Sequence, residues 1–303
     1  MTQEFYSNGK LLVSGEYAIL DGAQGWAVPT KFGQYLRVTK KTSQNLFWKS
    51  LDHKGKIWFE GIYKTEPLEE VESSHPDTSK MLLKILSEAQ RLNTDFLHST
   101  QGYEIETELT FPKDWGLGSS STLINTIAEW ADVNAFELLA ATFGGSGYDI
   151  ACAQHDHAIL YKLKNKRPAV EEIVFNPHFK DRLYFIYLNK KQNSREGIAA
   201  YRQRKIDKNA LIEQITEITQ EMVSSTALDD FNRLLALHEK TLSEVLGIPT
   251  VQERLFSDYF GKVKSLGAWG GDFVLATGNE NTTDYFMKKG YETIIPYSEM
   301  VLA

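Results

Sequence analysis

The chain has one cysteine, no long apolar run and no excess of positive charge. Cys152 is alone among 303 residues, which excludes an internal disulfide and suits a reducing compartment. No uninterrupted apolar stretch approaches the ~18 residues that a transmembrane helix needs, and residues 1–10 lack the apolar core of a signal peptide. We therefore expect a cytoplasmic protein without a membrane partner.

The charge balance is mildly acidic, with 33 Lys and Arg against 40 Asp and Glu and a net charge of −7. This balance gives no broad positive field, so we expect no nucleic-acid partner, and any anionic ligand must be bound by local groups. A content of 42% hydrophobic and 24% charged residues is typical of a globular protein, and the length suits two domains. We expect the boundary between the two domains at a polar link, residues 164–168, which gives domains of residues 1–168 and 169–303.

The most informative stretch joins a strand, a glycine turn and a helix without a break. Residues 102–110 alternate apolar and polar side chains as a half-buried strand does, and apolar residues recur at helical spacing from Leu123 onward. Between them lie Gly116, Leu117, Gly118, Ser119, Ser120 and Ser121. Glycine lets the backbone approach a ligand closely, and free N–H groups at a helix N-terminus favour an anion. The stretch predicts a phosphate-binding loop.

Helix capping is the alternative interpretation, because Ser and Thr are preferred N-caps. Neither common phosphate-binding fingerprint fits, since no Gly-Lys-Ser/Thr occurs here and Gly116-x-Gly118 lacks its third glycine. The same alternative applies to Asp149, which follows a glycine-rich turn at the start of another predicted helix. It also applies to Glu137, which stands three residues after Asn134, the spacing of a capping box.

Two further segments carry glycines next to charged residues. Residues 7–22 predict a short apolar strand with Lys10 at its start and Glu16 just past its end, and residues 264–276 predict strand, glycine loop and strand. A lone lysine beside a strand is usually a solvated edge charge. Residues 64–77 are polar and predict a loop. His238 lies on the apolar stripe of a helix that Gly247 ends, so we expect it to be packed.

Together, the three glycine segments resemble the three motifs of the GHMP kinase superfamily. Residues 8–20 resemble the first motif, residues 116–121 the phosphate-binding second and residues 267–272 the third. The string Gly-Tyr-Asp-Ile-Ala at residues 147–151 resembles that of a bacterial subgroup. The resemblance implies an α+β GHMP kinase fold, with an N-terminal domain like ribosomal protein S5 domain 2 and a ferredoxin-like C-terminal domain.

The resemblance also implies ATP and Mg²⁺ as cofactors and assigns roles to individual residues. The loop from Gly116 to Ser121 would hold the triphosphate, with Ser120 and Glu137 as Mg²⁺ ligands. Asp149 would orient or deprotonate the acceptor hydroxyl, and Lys10 would keep Asp149 ionised and stabilise the charge that moves with the phosphoryl group. The residues implied on the acceptor side are Glu16, Ser194, Arg195, Gly270 and Gly271.

The implied activity is transfer of the γ-phosphoryl group of ATP to phosphomevalonate, a step of isoprenoid synthesis. The alternatives are mevalonate kinase, a lyase like diphosphomevalonate decarboxylase and a non-catalytic relative. Whether the chain forms a homodimer stays open. A phosphorylated acceptor needs cations, for which the candidates are Lys190, Lys191 and Arg195, with Lys31 and Arg202 in reserve. Trp269 stands where the family has a small glycine, so we expect a reshaped loop near the phosphates or the acceptor.

Overall fold

The computed structural model describes residues 2–97, 101–191, 194–269 and 271–302, without the side chains of Ser194 and Arg195. The chain forms two compact units that alternate along the sequence. The first unit comprises residues 1–9, 32–113 and 117–154, and the second comprises residues 10–31, 114–116 and 155–303. Neither unit is continuous in sequence, and the boundary near residue 168 stays a prediction.

The first unit contains a mixed sheet. Its strands are β1 (Thr2–Ser14), β2 (Gly25–Lys41), β3 (Asn45–Leu51), β4 (Ile57–Thr65), β5 (Leu68–Ser73) and β6 (Gly102–Leu109), and both β1 and β2 continue into the second unit. The order is β5-β4-β3-β6-β2, with β1 paired to β2; β3 and β6 are parallel, whereas the pairs β2–β6, β3–β4 and β4–β5 are antiparallel. The prediction of a loop at residues 64–77 was wrong for β5. Its four central residues are all exposed at the sheet edge, so no apolar alternation marks it.

Four helices belong to the first unit. They are α1 (Pro76–Leu92), α2 (Ser119–Ala131), α3 (Ala135–Thr142) and α4 (Tyr148–Ala153). Apolar residues of α1 and α2 pack with sheet residues such as Trp48 and Ile105 in one core cluster. The apolar side chains of α2 anchor the helix in this core. The first turn of α2 follows the glycine loop and carries the serines.

The second unit contains the start of β2, paired with β7 (Ala158–Lys164), which pairs with β8 (Arg167–Ile173). It also contains a four-stranded sheet of β9 (Leu183–Tyr187), β10 (Val263–Ser265), β11 (Phe273–Thr277) and β12 (Ile294–Pro296). Its helices are α5 (Ser194–Arg202), α6 (Lys208–Ser224), α7 (Leu228–Leu246), α8 (Val251–Leu255), α9 (Thr282–Lys288) and α10 (Tyr297–Met300).

The four-stranded sheet is antiparallel with the order β10-β11-β9-β12. Strand β9, helices, β10, β11, α9 and β12 follow one another along the chain, which is the βαββαβ sequence of a ferredoxin-like fold. The α+β expectation is therefore confirmed. Helix α7 ends at Gly247, whose φ of 66° makes it a left-handed C-cap, as predicted. Within the described ranges, no helix is both long and apolar enough to cross a bilayer.

Candidate active site

The glycine-serine loop of the second motif leads directly into α2. Gly118 is the N-cap residue with a φ of 92°, so the N-cap position has no side chain that could cap the helix. The capping alternative for the serines is therefore not realised, because they lie within the first helical turn. The backbone N–H groups of that turn have no partner inside the helix and point along a dipole that favours an anion.

The hydroxyl groups of this turn have different environments. Ser121 Oγ donates to the Gly118 carbonyl at 2.8 Å, and Thr122 Oγ1 donates to Gln34 Oε1 at 2.7 Å. Ser120 is exposed, and its hydroxyl makes no hydrogen bond within the described part of the chain. Ser121 and Thr122 stabilise the turn, whereas Ser120 is available for a ligand.

Asp149 lies in the first turn of α4, which begins after Gly147 at a φ of 88°. Gly147 is the N-cap, so Asp149 does not cap this helix. Its Oδ1 accepts from the Ile150 N–H at 3.1 Å, and the residue is half-buried. The carboxyl group is thus held at the N-terminal end of this short helix.

Asn125 links the two helices that carry these groups, a role that the sequence analysis missed. It is fully buried, and its Nδ2 donates to Ser7 Oγ on β1 and to Glu129 Oε1, both at 2.8 Å. Its Oδ1 accepts from Gln154 Nε2, at the end of α4, at 2.8 Å. A buried amide with all these bonds fixes α2 relative to α4. The available signal was a lone asparagine between Ile124 and Ile127 of an apolar stripe.

Glu137 lies in the first turn of α3, and its side chain is exposed. Asn134 caps this helix and accepts from the backbone N–H of Glu137 at 3.2 Å, which is the Asn134 half of the predicted capping box. That contact uses the backbone of Glu137 and leaves its carboxylate open to other partners. The described residues contain no group of three or more His, Cys, Asp or Glu that could hold a metal ion.

Lys10 lies in the second unit, near the middle of β1, because that strand is longer than the sequence indicated. It is half-buried, and its Nζ donates to the Gly116 carbonyl at 3.0 Å. The ammonium group is therefore fixed beside the glycine turn and is not a solvated edge charge. Lys10 and Asp149 belong to different units, and their predicted pairing stays a prediction.

The end of β9 and the third motif lie beside each other in the second unit. The Asp272 N–H donates to the Lys190 carbonyl at 2.6 Å, and the Leu188 N–H donates to the Asp272 carbonyl at 2.8 Å. Tyr187 Oη donates to Asp114 Oδ2 at 3.1 Å. Burial, with the carboxylates of Asp114 and Asp272 nearby, raises the pKa of Tyr187 to about 12. This hydroxyl remains a donor at neutral pH.

The structure describes only some of the residues that were predicted to face the acceptor. Glu16 is fully buried and paired with Lys264, so a contact with an acceptor, which stays a prediction, would require that pair to open. Gly271 is buried, Gly270 lies outside the described residues, and so do the side chains of Ser194 and Arg195. The candidate cations Lys31, Lys190, Lys191 and Arg202 are all exposed.

Trp269 packs into the interior of the second unit, and the expected reshaping of the loop stays a prediction. Its side chain is 4% exposed and belongs to an apolar cluster with Tyr17, Tyr201 and Leu242. Tyr17 Oη donates to the carbonyl of Ala268 at 2.8 Å and thereby joins the first motif to the third. The indole ring is a packing element of the second unit.

No protein-family model matches the sequence, and no curated protein matches it. Solved structures do match it in fold. The mevalonate kinase of Methanococcus jannaschii is 16% identical, with 95% of this chain and 94% of that chain covered and a TM-score of 0.70. Phosphomevalonate kinase of Streptococcus pneumoniae, in complex with phosphomevalonate and AMPPNP, is 17% identical, with 95% of each chain covered and a TM-score of 0.68. Galactokinase of Lactococcus lactis, complexed with galactose, is 13% identical, with 95% and 88% covered and a TM-score of 0.68. At these identities the likeness concerns the fold.

Proposed function

We propose that this chain, whose fold is that of the GHMP kinases, is an ATP-dependent kinase acting on a small molecule. The observation that carries the proposal is the start of α2, where the N-cap is a glycine and the Ser120 hydroxyl is exposed. One chain of the same fold was solved with the ATP analogue AMPPNP. A glycine N-cap supplies no side chain to the first N–H groups of α2, which suits a triphosphate as their acceptor.

Phosphoryl transfer needs a neutralised phosphate, an aligned acceptor hydroxyl and a group that takes the hydroxyl proton. In the proposed reaction, the loop from Gly116 to Ser121 binds the triphosphate through its backbone N–H groups. The acceptor oxygen bonds to the γ-phosphorus while the bond to the ADP oxygen breaks, and Asp149 takes the acceptor proton. Lys10 supplies positive charge beside the glycine turn.

Mg²⁺ would neutralise phosphate charge when it is bound with the nucleotide. It keeps several waters and takes few protein ligands, so a hydroxyl and one carboxylate suffice. Ser120 fits as a ligand because its hydroxyl is exposed without a partner among the described residues, and the exposed Glu137 is the candidate carboxylate. The absence of a larger acid cluster in the described residues fits an ion that arrives with its nucleotide.

We favour phosphomevalonate as the acceptor, with mevalonate as the alternative. The three motifs resemble those of phosphomevalonate kinases slightly more than those of mevalonate kinases. In addition, the exposed Lys190 and Lys191 follow β9, and the Lys190 carbonyl accepts from the backbone of Asp272 in the third motif. Two cations beside that motif suit an acceptor that already carries a phosphate.

The test is an assay of the purified protein with Mg·ATP for ADP release. Mevalonate, phosphomevalonate, diphosphomevalonate, homoserine and galactose are tested in parallel, and CO₂ is measured to detect the lyase alternative. We expect turnover on phosphomevalonate without CO₂. Turnover on mevalonate alone would refute the acceptor assignment and keep the kinase, whereas turnover on none of the five would refute both.

A double variant, Lys190→Ala with Lys191→Ala, tests the cations. We expect KM for phosphomevalonate to rise about tenfold or more while KM for Mg·ATP stays unchanged. Lys166→Ala, which removes an exposed lysine from the β7–β8 hairpin, is the matched control and should change neither constant. An unchanged KM in the double variant would show that these lysines are solvated surface charges.

A further inference from the structure

Four ionisable side chains meet in the interior of the second unit. Glu16, His238 and Lys264 are 0% exposed, and Glu239 is 3% exposed. They come from the turn after β1, from α7 and from β10, and neither the loops around Gly116 nor the candidate cations include them. Burying charged groups is costly unless they are paired and hydrogen-bonded, so such a cluster needs an explanation.

The cluster connects the first motif to the strand that leads into the third. Lys264 Nζ forms an ion pair with Glu16 Oε1 and donates to the Ser265 carbonyl at 2.8 Å. The Ser265 N–H donates to Glu239 Oε1 at 3.0 Å. The Gly15 N–H donates to His238 Nε2 at 3.0 Å. Backbone groups of both motif segments are thus bonded to side chains of α7.

One carboxylate oxygen of the cluster lacks a donor. Glu16 Oε2 lies 3.3 Å from His238 Nε2, and no hydrogen bond to this oxygen is present in the described residues. Nε2 accepts from the Gly15 N–H, so it carries no hydrogen and cannot donate to Oε2. An ionised Oε2 would be a buried charge without a donor, and a proton on the Glu16 carboxyl group removes that charge.

The charge count leads to the same conclusion. With both carboxylates ionised and Lys264 protonated, the buried group carries a net charge of −1, and one more proton makes it neutral. Burial raises the pKa of Glu16 to about 7 and that of Glu239 to about 8, against the opposing effect of Lys264. Burial also lowers the pKa of His238 well below its usual value. The extra proton therefore belongs to the carboxyl groups at neutral pH.

The charges that act on the cluster come from its own members. Lys264 acts on Glu16, on His238 and on Glu239, and Glu16 also acts on Glu239. Tyr17 follows Glu16, and burial together with the Glu16 carboxylate raises the pKa of Tyr17 to about 12, so it stays neutral. Helix α6 contributes Thr219, whose hydroxyl bonds to Ser14 at 2.8 Å, and α8 contributes the Val251 N–H, which binds Glu239.

We propose that Glu16, His238, Glu239 and Lys264 form a neutral buried cluster that holds one shared proton and positions the first motif against the third. The positioning role rests on the proposed function, since it concerns motifs assigned to phosphoryl transfer; the shared proton does not. Loss of the proton leaves an uncompensated buried charge and weakens the bonds that hold the Gly15 and Ser265 backbones to α7. Glu239 and Lys264 are positioning residues, because they act through the backbone of the motifs.

The proposal fixes the sign of a pH dependence. In the unfolded chain the two carboxyl groups have ordinary pKa values, so the folded chain binds the proton more tightly than the unfolded chain. Stability from this proton is fully present below about pH 4.5 and declines as the pH rises through the folded pKa values, near 7 and 8. Glu239→Gln removes one acid and keeps an oxygen for the Ser265 N–H.

Urea unfolding of the full chain between pH 5 and pH 9 tests the proton. Relative to Glu239→Gln, the folding equilibrium constant of the wild type should fall by on the order of tenfold or more over this range. Glu253→Gln is the control, because Glu253 is an exposed capping residue whose pKa is lowered by Thr250, and its profile should run parallel to the wild type. Parallel profiles for Glu239→Gln and the wild type would overturn the shared proton.

Infrared spectroscopy of the wild type gives a second readout that needs no variant. A buried protonated carboxyl band should be present at pH 6 and lost by pH 9, and its absence at pH 6 would also overturn the proposal. The positioning role is tested by turnover: kcat of the wild type should fall relative to Glu239→Gln above pH 8, with KM for Mg·ATP little changed. A constant kcat ratio would refute positioning, whereas the unfolding and infrared results hold whether or not the chain is a kinase.

Discussion

Asp272 occupies the space that a side chain on Gly116 would need. A Cβ atom built on Gly116 would lie 2.4 Å from Asp272 Cγ, and Gly116 has a φ of 69°. The backbone of Asp272 is held by its N–H and its carbonyl, which are both bonded to the segment that ends β9, so only rotation of its carboxylate could relieve the clash. The third motif thus favours glycine at the start of the second, within one unit of the fold.

We expect Gly116→Ala to weaken Mg·ATP binding by about tenfold or more, because the added methyl group must displace Asp272 or the loop. Calorimetric titration measures this. Gly55→Ala is the matched control: Gly55 also has a positive φ, 74°, but nothing lies within 4 Å of its Cβ position. The control should cost about 1 kcal/mol of folding stability and leave binding intact. Equal binding losses in both variants would show that backbone strain, not Asp272, is responsible.

The two neighbouring serines should respond differently to removal of the hydroxyl. Ser120→Ala should weaken Mg·ATP binding by about tenfold with unchanged stability, since this exposed hydroxyl has no partner among the described residues. Ser121→Ala should instead lower the free energy of unfolding by about 1 kcal/mol, because it loses the hydrogen bond to Gly118. Unchanged Mg·ATP affinity in Ser120→Ala would remove Ser120 from the proposed metal site.

Local features of the site could be predicted from the sequence. The glycine-serine turn and the helix after it follow from hydrophobic periodicity and from glycine conformation, and the position of Asp149 follows from a similar glycine turn two helices later. The ferredoxin-like order came from the resemblance, and the strand order confirms it. These features depend on neighbouring residues, which is why a sequence pattern carries them.

Contacts between distant residues could not be predicted. Glu16 and Lys264 are 248 positions apart, and no periodicity links them. His238 was expected to be packed, and it is, but its bond to the Gly15 backbone depends on how α7 lies against β1. The apolar stripe predicts that His238 is buried, but it does not predict which group His238 binds. The partners of Trp269 in the apolar cluster, Tyr17 and Tyr201 among them, are likewise distant in sequence and could not be read from the third motif.

Asp149 and Lys10 should differ in which kinetic constant they affect. Asp149→Asn should reduce kcat about 10²-fold or more with Mg·ATP affinity unchanged, because it acts on the acceptor proton. Lys10→Ala should reduce kcat by a similar factor and also weaken Mg·ATP, since its ammonium group binds the Gly116 carbonyl. Single-turnover kinetics and titration separate the two effects. Near-wild-type kcat in Asp149→Asn would remove it as the base.

Trp269→Gly restores the small residue that the GHMP motif has at this position and tests whether the indole ring shapes the acceptor site. We expect a loss of about 2–4 kcal/mol in the free energy of unfolding, because a 4% exposed indole leaves a cavity, and relief of its φ of 49° recovers only part of that loss. Acceptor preference should not change, since the ring packs with Tyr17 and Tyr201.

Phe260→Ala is the control for Trp269→Gly, because that ring is 53% exposed and its removal should cost far less stability. Urea unfolding and the acceptor assay are run on both variants. A stable Trp269→Gly protein with an altered acceptor preference would contradict the packing role and place the indole ring at the acceptor. A destabilised protein with the original preference would show that this departure from the family motif is a matter of core packing, with the specificity set elsewhere.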